Sequence, residues 1–140
     1  MTAIVDTNFL VSLTNPNELH HENCAMLART LQERFIVPYV VLPEATYLIH
    51  KYQGHRVMRR FMRQMMHPAW NFEPLQPRDL VHISATLEKY GDLNLDFVDA
   101  AIVAIAERLN VCRLLTLDRR DFLVIRPSHC TAFTLLPEKH

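Results

Sequence analysis

Short apolar segments alternate with helical segments along the chain, and this alternation restricts its possible folds more than any other feature. Segments with the length and composition of strands lie at residues 3–5, 35–37, 71–74, 113–117 and 132–135. Helical sequence lies between them, at residues 17–34, 42–52, 56–66, 77–90 and 97–109. Strands separated by helices predict an α/β fold, in which a parallel sheet of five strands carries helices on both faces.

The winding of such a sheet predicts where a ligand would bind. In the simplest right-handed winding the first strand is central, the second and third lie on one side, and the fourth and fifth on the other, giving the order 3-2-1-4-5. Ligands bind outside the carboxyl ends of the strands, where the winding reverses. That point lies between the first and fourth strands, which are followed by Asp6 and Asp118. We therefore expect these two carboxylates to face each other.

Length and composition exclude several functional classes. The chain has 140 residues, with 15 basic and 15 acidic side chains and two glycines. This length fits a single domain, residues 1–140. So few glycines cannot form the glycine-rich phosphate loops of nucleotide-binding proteins. Because the charges balance, a nucleic-acid role would depend on a local basic patch.

The cysteines and the apolar segments predict a cytoplasmic protein. Cys24, Cys112 and Cys130 are odd in number and widely separated, without the spacing of a zinc motif or a disulfide framework. This use of cysteine suits a reducing compartment. The N-terminus lacks the pattern of a signal peptide, and the longest apolar stretch, around residues 100–106, is too short to cross a bilayer.

Acidic residues recur where this winding would bring chain segments together. The candidate acids are Asp6, Glu44, Asp99 and Asp118, with Asp96 on the same helix face as Asp99. Carboxylates clustered in a partly dry site repel one another, and a hard divalent cation such as Mg²⁺ or Mn²⁺ relieves that repulsion. An all-acid site holding one or two such ions is suited to activating water and hydrolysing phosphodiesters.

Each of these acids also has a purely structural interpretation. Asp6 and Asp96 stand where helix N-caps are expected, and Asp99 would then occupy the third position of a capping box. Glu44 can interact with its helix dipole from the first turn, and Asp118 can open a turn. The nuclease interpretation therefore depends on the acids meeting at one place.

Four motifs resemble those of the PIN-domain nucleases in order and spacing: IVDTNFL, LPEATYLI, LDFVDAAIVAIAERL and LLTLDRRDF. The likeness is greatest to the VapC-type toxins of toxin–antitoxin pairs and extends from residue 3 to about residue 127. The resemblance implies the sheet order 3-2-1-4-5. It also implies metal-binding acids at Asp6, Glu44, Asp99 and Asp118, an additional acid at Asp96, and nearby polar side chains at Thr7, Asn8 and Thr116.

The same resemblance implies an activity and partners. It implies an endoribonuclease that uses one or two Mg²⁺ or Mn²⁺ ions, is commonly a homodimer, and is inhibited by a small cognate antitoxin. Two related alternatives stay open, namely an RNA-processing PIN nuclease without an antitoxin and an inactive RNA- or protein-binding PIN module. A haloacid-dehalogenase phosphatase would need Asp where Asn8 stands, and a receiver domain would need a lysine ending a late strand, whereas Lys139 lies beyond the last predicted strand.

The arginines have two interpretations each. The segment HRVMRRFMRQMMH alternates apolar and basic positions at helical spacing, which predicts an amphipathic helix packed on the core. Its Met-rich stripe would also suit a partner, and Arg59 and Arg63 would suit RNA phosphates. Arg119 and Arg120 follow Asp118 directly, and they could bind RNA or pair with a nearby acid.

We expect structural roles for three further residues. Asp121 is expected to open a turn in the sequence RRDF. Trp70 and Tyr47 could stack on bases, but we expect both rings to fill the core.

Overall fold

A parallel sheet forms the centre of the fold. The computed structural model describes residues 2–138, so Lys139 lies outside the described residues. The strands are β1 (Thr2–Val5), β2 (Arg34–Pro38), β3 (Trp70–Glu73), β4 (Arg113–Leu115) and β5 (Thr134–Leu136). Their spatial order, β3-β2-β1-β4-β5, confirms the predicted winding.

Helices connect the strands. They are α1 (Thr7–Thr14), α2 (His21–Thr30), α3 (Val41–Gln53), α4 (His55–Gln64), α5 (Pro77–Lys89), α6 (Phe97–Leu109) and α7 (Arg119–Val124). Helix α1 contacts both α2 and α3, α3 contacts α4, and α5 packs along α6. Within residues 2–138, no helix combines the length and the apolar character needed to span a bilayer.

Two helix predictions are wrong. The helix predicted at residues 17–34 is shorter in the structure, where α2 covers His21–Thr30 and residue 34 already belongs to β2, and α1 at Thr7–Thr14 was not predicted. The sequence prediction also missed α7, which begins soon after β4 ends at Leu115. Both missed helices follow a strand after one to three residues, and the β-branched residues of α1, Thr7, Val11 and Thr14, lower its helix propensity.

The register of β1 determines which residues meet at the carboxyl edge. Ala3, Ile4 and Val5 are fully buried. Val5 pairs with Leu115 of β4, and the pairing continues beyond the strands because Asp6 N donates to Leu115 O at 2.9 Å. The residues that follow β1 and β4 are therefore held side by side.

Helix α6 has the bounds that the sequence predicts. It is buried over residues 100–106 and ends at Asn110, whose φ of 57° gives the left-handed conformation of a helix stop. Near its end, Arg108 Nε donates to Asp79 Oδ1 at 3.0 Å, and Nη1 donates to Glu73 Oε1 at 2.7 Å. This arginine therefore fixes α6 against the start of α5 and the end of β3.

We predict that Arg108→Ala destabilises the fold, because it removes the main partner of Asp79, whose exposed fraction is 1%. Breaking one side of a buried ion pair costs roughly 3–5 kcal/mol. Urea unfolding measures the change, and the exposed Arg29 provides a control, Arg29→Ala, with an expected change of at most about 0.5 kcal/mol. Adding Asp79→Asn to Arg108→Ala should recover part of the loss, since a neutral amide is less costly to bury than a carboxylate. Equal stability of the Arg108 variant and the wild type would contradict the prediction.

Candidate functional site

The four candidate acids lie at the N-terminal ends of four different helices. Asp6 is the N-cap of α1, Glu44 lies in the first turn of α3, Asp99 lies in the first turn of α6, and Asp118 is the N-cap of α7. Free backbone N–H groups and the helix dipole stabilise negative charge at such positions. Each local structural interpretation is therefore compatible with a shared site.

The structure brings these carboxylates together. Oxygens of Asp99, Asp118 and Asp121 lie within 4.8 Å of one another. The charge of Asp6 acts on Asp99, and the charges of Glu44 and Asp118 act on Asp6. These residues form one acidic cluster at the carboxyl edge of the sheet, beside β1 and β4.

Asp121 is a member of this cluster that the sequence prediction missed. It was expected to open a turn, but it lies within α7 and has an exposed fraction of 7%. Asp118 Oδ1 accepts a hydrogen bond from Asp121 N at 3.4 Å. The pair has the same three-residue spacing as Asp96 and Asp99, and that repetition is the signal that could have identified it.

Asp96 has the capping role that its position suggests. Its Oδ1 accepts from Asp99 N at 2.9 Å, and Asp99 Oδ2 accepts from Asp96 N at 3.4 Å, which completes a capping box. Asp96 is exposed, but its charge still acts on Asp99 and Asp118. It therefore stands at the rim of the acidic cluster.

Hydrogen bonds orient both oxygens of Asp6, whose exposed fraction is 5%. Oδ1 accepts from Thr7 N at 2.7 Å, and Oδ2 accepts from Thr116 Oγ1 at 2.8 Å. The Thr116 hydroxyl is thus the direct link between the acid after β1 and the chain after β4.

Asn8 and Thr116 also hold the backbone that leads to Asp118. Asn8 Oδ1 accepts from Leu117 N at 2.9 Å, and Thr116 Oγ1 accepts from Asp118 N at 3.0 Å. These bonds bind the turn before α7 to the start of α1. The two polar residues therefore hold the backbone on which Asp118 is carried.

Burial and mutual repulsion raise the pKa values of the acids. Burial is the largest cause for Asp6, whose pKa rises to about 6, despite the hydrogen bonds from Thr116 and Thr7. Burial, followed by the charges of Asp96 and Asp6, raises the pKa of Asp99 to about 8. Burial also raises the pKa of Asp118. The cluster therefore favours binding protons or a cation.

The donor set fits a hard divalent cation. The acidic cluster offers carboxylate oxygens, which are the ligands that Mg²⁺ and Mn²⁺ prefer. Thr7 Oγ1, next to Asp6 in the chain, is buried and has no hydrogen-bond partner among residues 2–138. An unpaired buried hydroxyl is unfavourable, and a divalent ion bound to the acidic cluster would relieve the repulsion between its carboxylates.

The arginines take different positions. Arg120 lies beside the acidic cluster, with Nε 3.5 Å from Asp121 Oδ1 and an almost fully exposed side chain. Arg119 Nη1 donates to Pro137 O at 3.3 Å. Arg59 and Arg63 are exposed on α4, and Arg59 also donates to His55 Nδ1.

The apolar stripe of α4 is mainly a packing surface. Phe61 and Met65 are buried in the core, whereas Met66 is exposed. Trp70 packs against Phe35 with ring centroids 5.3 Å apart. The expectation for Tyr47 is wrong, because its exposed fraction is 62%. Tyr47 lies one turn after Glu44 in α3, so the helical geometry directs it to the surface beside that acid.

Comparisons with known proteins agree with this arrangement. The sequence profile of the PIN domain matches residues 3–126. The chain is 27% identical over 134 residues to ribonuclease VapC26 of Mycobacterium tuberculosis, covering 96% of this chain and 99% of that protein.

Solved structures share the fold, and two of them illustrate the likeness. One is VapC20 of Mycobacterium tuberculosis, described as a sarcin-ricin loop cleaving toxin, with a TM-score of 0.79, 18% identity, and coverage of 85% of this chain and 92% of that one. The other is a toxin–antitoxin complex from Klebsiella pneumoniae, with a TM-score of 0.67, 19% identity, and coverage of 89% and 92%.

We predict that Thr116→Val raises the pKa of Asp6 further above its ordinary value. The substitution keeps the side-chain shape but removes the hydroxyl that donates to Asp6 Oδ2, and losing a bond to the charged form disfavours ionisation. A carbon-13 NMR titration of the metal-free protein measures the shift. Thr30→Val is the control, because the Thr30 hydroxyl donates to Met26 O instead. An unchanged or lowered pKa of Asp6 would contradict this assignment.

We also predict that the metal-free protein loses stability as the pH rises from about 4 to about 8. The raised pKa values of Asp6 and Asp99 mean that the folded chain holds protons that the unfolded chain releases in this range. Thermal unfolding in a chelator measures the slope. Asp99→Asn should flatten it and raise stability most at the alkaline end, where the wild-type carboxylate is ionised. Parallel profiles for the variant and the wild type would contradict the prediction.

Proposed function

This chain belongs to the PIN-domain family, and on that premise we propose that it is a ribonuclease toxin that cleaves RNA at the acidic cluster. The observation that carries the proposal is the convergence of Asp6, Glu44, Asp99 and Asp118 from four helix N-termini. The likeness to ribonuclease VapC26 over almost the full length of both chains supports it.

The proposed cofactor is Mg²⁺ or Mn²⁺, as one or two ions. Asp6, Asp99 and Asp118 would hold it, and Glu44 would complete the set directly or through water; Asp121 is an additional candidate that the geometry supplies. When bound, such an ion supplies positive charge for the phosphodiester and activates water for attack. Asp96, as the N-cap of α6, keeps Asp99 in position.

Hydrogen bonds within the site orient Asp6 before any substrate binds. Thr116 and Thr7 N fix both oxygens of Asp6, so this acid does not need to reorganise. Hydrolysis would form a bond from a water oxygen to phosphorus and break the bond from phosphorus to the 3′ oxygen, which leaves with a proton. The products would therefore carry a 5′ phosphate and a 3′ hydroxyl, without use of the 2′ hydroxyl.

RNA would approach over the exposed residues around this edge. Arg120 lies beside Asp121 with its guanidinium exposed, so it can pair with a phosphate as well as with that acid. Arg119 is the adjacent cation, and Arg59 and Arg63 would contact the backbone farther away. Tyr47, exposed on the helix of Glu44, offers a ring on which a base could stack.

The proposed partners are RNA, a cognate antitoxin and a second copy of the chain. The fold shared with a chain of a solved toxin–antitoxin complex supports the antitoxin. The alternative of an RNA-processing PIN nuclease predicts that no small antitoxin is encoded beside this chain, so the neighbouring reading frame separates the two.

We predict that Asp6→Asn and Asp99→Asn each abolish RNA cleavage while the fold is kept, because each removes a charged oxygen ligand. The assay incubates purified protein with total RNA and Mg²⁺, with circular dichroism to verify folding. Excess chelator should stop cleavage by the wild type, and added Mg²⁺ or Mn²⁺ should restore it. Glu22→Gln is the matched control, since Glu22 is an exposed acid on α2.

The chemistry of the cut ends tests the reaction itself. Sequencing methods that capture 5′-phosphate ends should recover the cleavage sites directly. Full activity in either aspartate variant would overturn the site assignment, and products with a cyclic phosphate would overturn the hydrolytic mechanism.

A further inference from the structure

A second cluster of metal-binding side chains lies away from the acidic one. A sulfur atom from each of Cys112 and Cys130 and a ring nitrogen of His129 lie within 4.8 Å of one another. Cys112 directly precedes β4, and the other two residues lie a few positions before β5. Because β4 and β5 are parallel neighbours, this cluster stands at the amino ends of the strands, opposite the acidic edge.

The cysteines lack the spacing of a zinc motif in the sequence, and the structure explains why spacing does not reveal this cluster. The ligands come from two segments that only the pairing of β4 with β5 brings together. Thr134 N donates to Cys112 O at 2.8 Å, which ties the start of β5 to Cys112. The cluster is therefore a product of sheet topology and not of a local motif.

The imidazole of His129 has one ring nitrogen in a hydrogen bond and one that is free within the described part of the chain. Its Nε2 lies 2.7 Å from Val111 O and 3.7 Å from Cys130 Sγ. With the carbonyl as its acceptor, this nitrogen carries the proton. The other nitrogen, Nδ1, is therefore unprotonated and has a lone pair that can bind a metal. It is buried and has no hydrogen-bond partner within residues 2–138. A histidine that donates one ring N–H to a backbone carbonyl is the common arrangement in metal sites.

We propose that Cys112, His129 and Cys130 form a second metal site, which takes a thiophilic transition-metal ion such as Zn²⁺. Two sulfurs and one imidazole are ligands that favour Zn²⁺ over Mg²⁺. Ligand atoms around a tetrahedral zinc ion are roughly 3.6 Å apart, given bond lengths of about 2.0–2.3 Å. Because the present ligand atoms lie within 4.8 Å of one another, contracting the cluster to that size requires side-chain shifts of at most about 1 Å.

The surroundings indicate a structural role for this site. The connection from α7 to β5, residues 125–133, contains no helix or strand. A metal bound to His129 and Cys130 would hold this connection against Cys112 and thus against the start of β4. Glu107 lies close enough to act electrostatically on Cys130 and accepts a hydrogen bond from Ser128, so the fourth position falls to its carboxylate or to water.

Cobalt provides a direct test, because Co²⁺ bound to thiolates gives a charge-transfer band in the near ultraviolet. The reduced full-length protein is titrated with CoCl₂ under anaerobic conditions. We expect a band that saturates at about one ion per chain and disappears when ZnCl₂ is added. Cys112→Ser and Cys130→Ser should each weaken the band at least several-fold.

Two controls make the result specific. Cys24→Ser removes a buried thiol on α2 and should leave the band unchanged. Asp99→Asn should also leave it unchanged, which separates this site from the acidic cluster. Because the band is read without RNA, the result stands whether or not the chain cleaves RNA.

Three outcomes would overturn the proposal. The first is the absence of a thiolate band in the wild type, and the second is a band of full strength in the Cys112→Ser/Cys130→Ser double variant. The third is a disulfide between Cys112 and Cys130 in protein purified with reductant, as found by counting free thiols in the unfolded chain.

Discussion

The acidic cluster depends on the parallel pairing of β1 with β4 in a single register. Val5 lies opposite Leu115, and the bond from Asp6 N to Leu115 O extends the ladder by one step. Side chains alternate between the two faces of a strand, so a shift of one residue would turn Asp6 away from Thr116. It would also move Ala3, Ile4 and Val5, which are fully buried, to the opposite faces of the sheet and disrupt their packing. Core packing therefore enforces the strand register that places Asp6 beside Thr116. A shift of register would lose this packing, and the acidic cluster keeps its geometry for that reason.

Local structure and site chemistry use the same positions without conflict. Asp99 and Asp79 each occupy the third position of a capping box, but their surroundings differ. Burial tends to raise the pKa of Asp79, yet hydrogen bonds and charge from Arg108 lower it overall. Asp99 faces the carboxylates of Asp96 and Asp6, and its pKa rises to about 8. A helix N-terminus thus accommodates an acid in both cases. The charge of the side chains that face the acid decides its role: Arg108 makes Asp79 a structural anchor, and other carboxylates make Asp99 a candidate ligand.

Some elements of this fold can be predicted from the sequence, and others cannot. Strand order follows from handedness and from the alternation of elements, and α6 is recognisable from its apolar surface and its stop at Asn110. By contrast, α1 and α7 have only 8 and 6 residues and follow strands almost directly, so each is too short to show a clear helical repeat of apolar residues. Asp121 was assigned to a turn for this reason. Cys112 and Cys130 are separated by 17 intervening residues, from 113 to 129. No local sequence pattern encodes the pairing of β4 with β5 that brings them together.

Strand β4 connects two groups of ligands with different chemistry. Oxygen donors gather after its carboxyl end, and sulfur and nitrogen donors gather at its amino end. Hard and soft ions prefer these donor sets in opposite order, so the two sites would compete little for the same metal. The chain after β4 also runs through α7, which carries Asp118 and Asp121 at its start, before it reaches His129 and Cys130. Fixing the connection at residues 125–133 would therefore restrict the far end of the helix that presents two acids. The proposed soft-metal site would then serve the acidic cluster by limiting the motion of α7, without contributing a ligand to it.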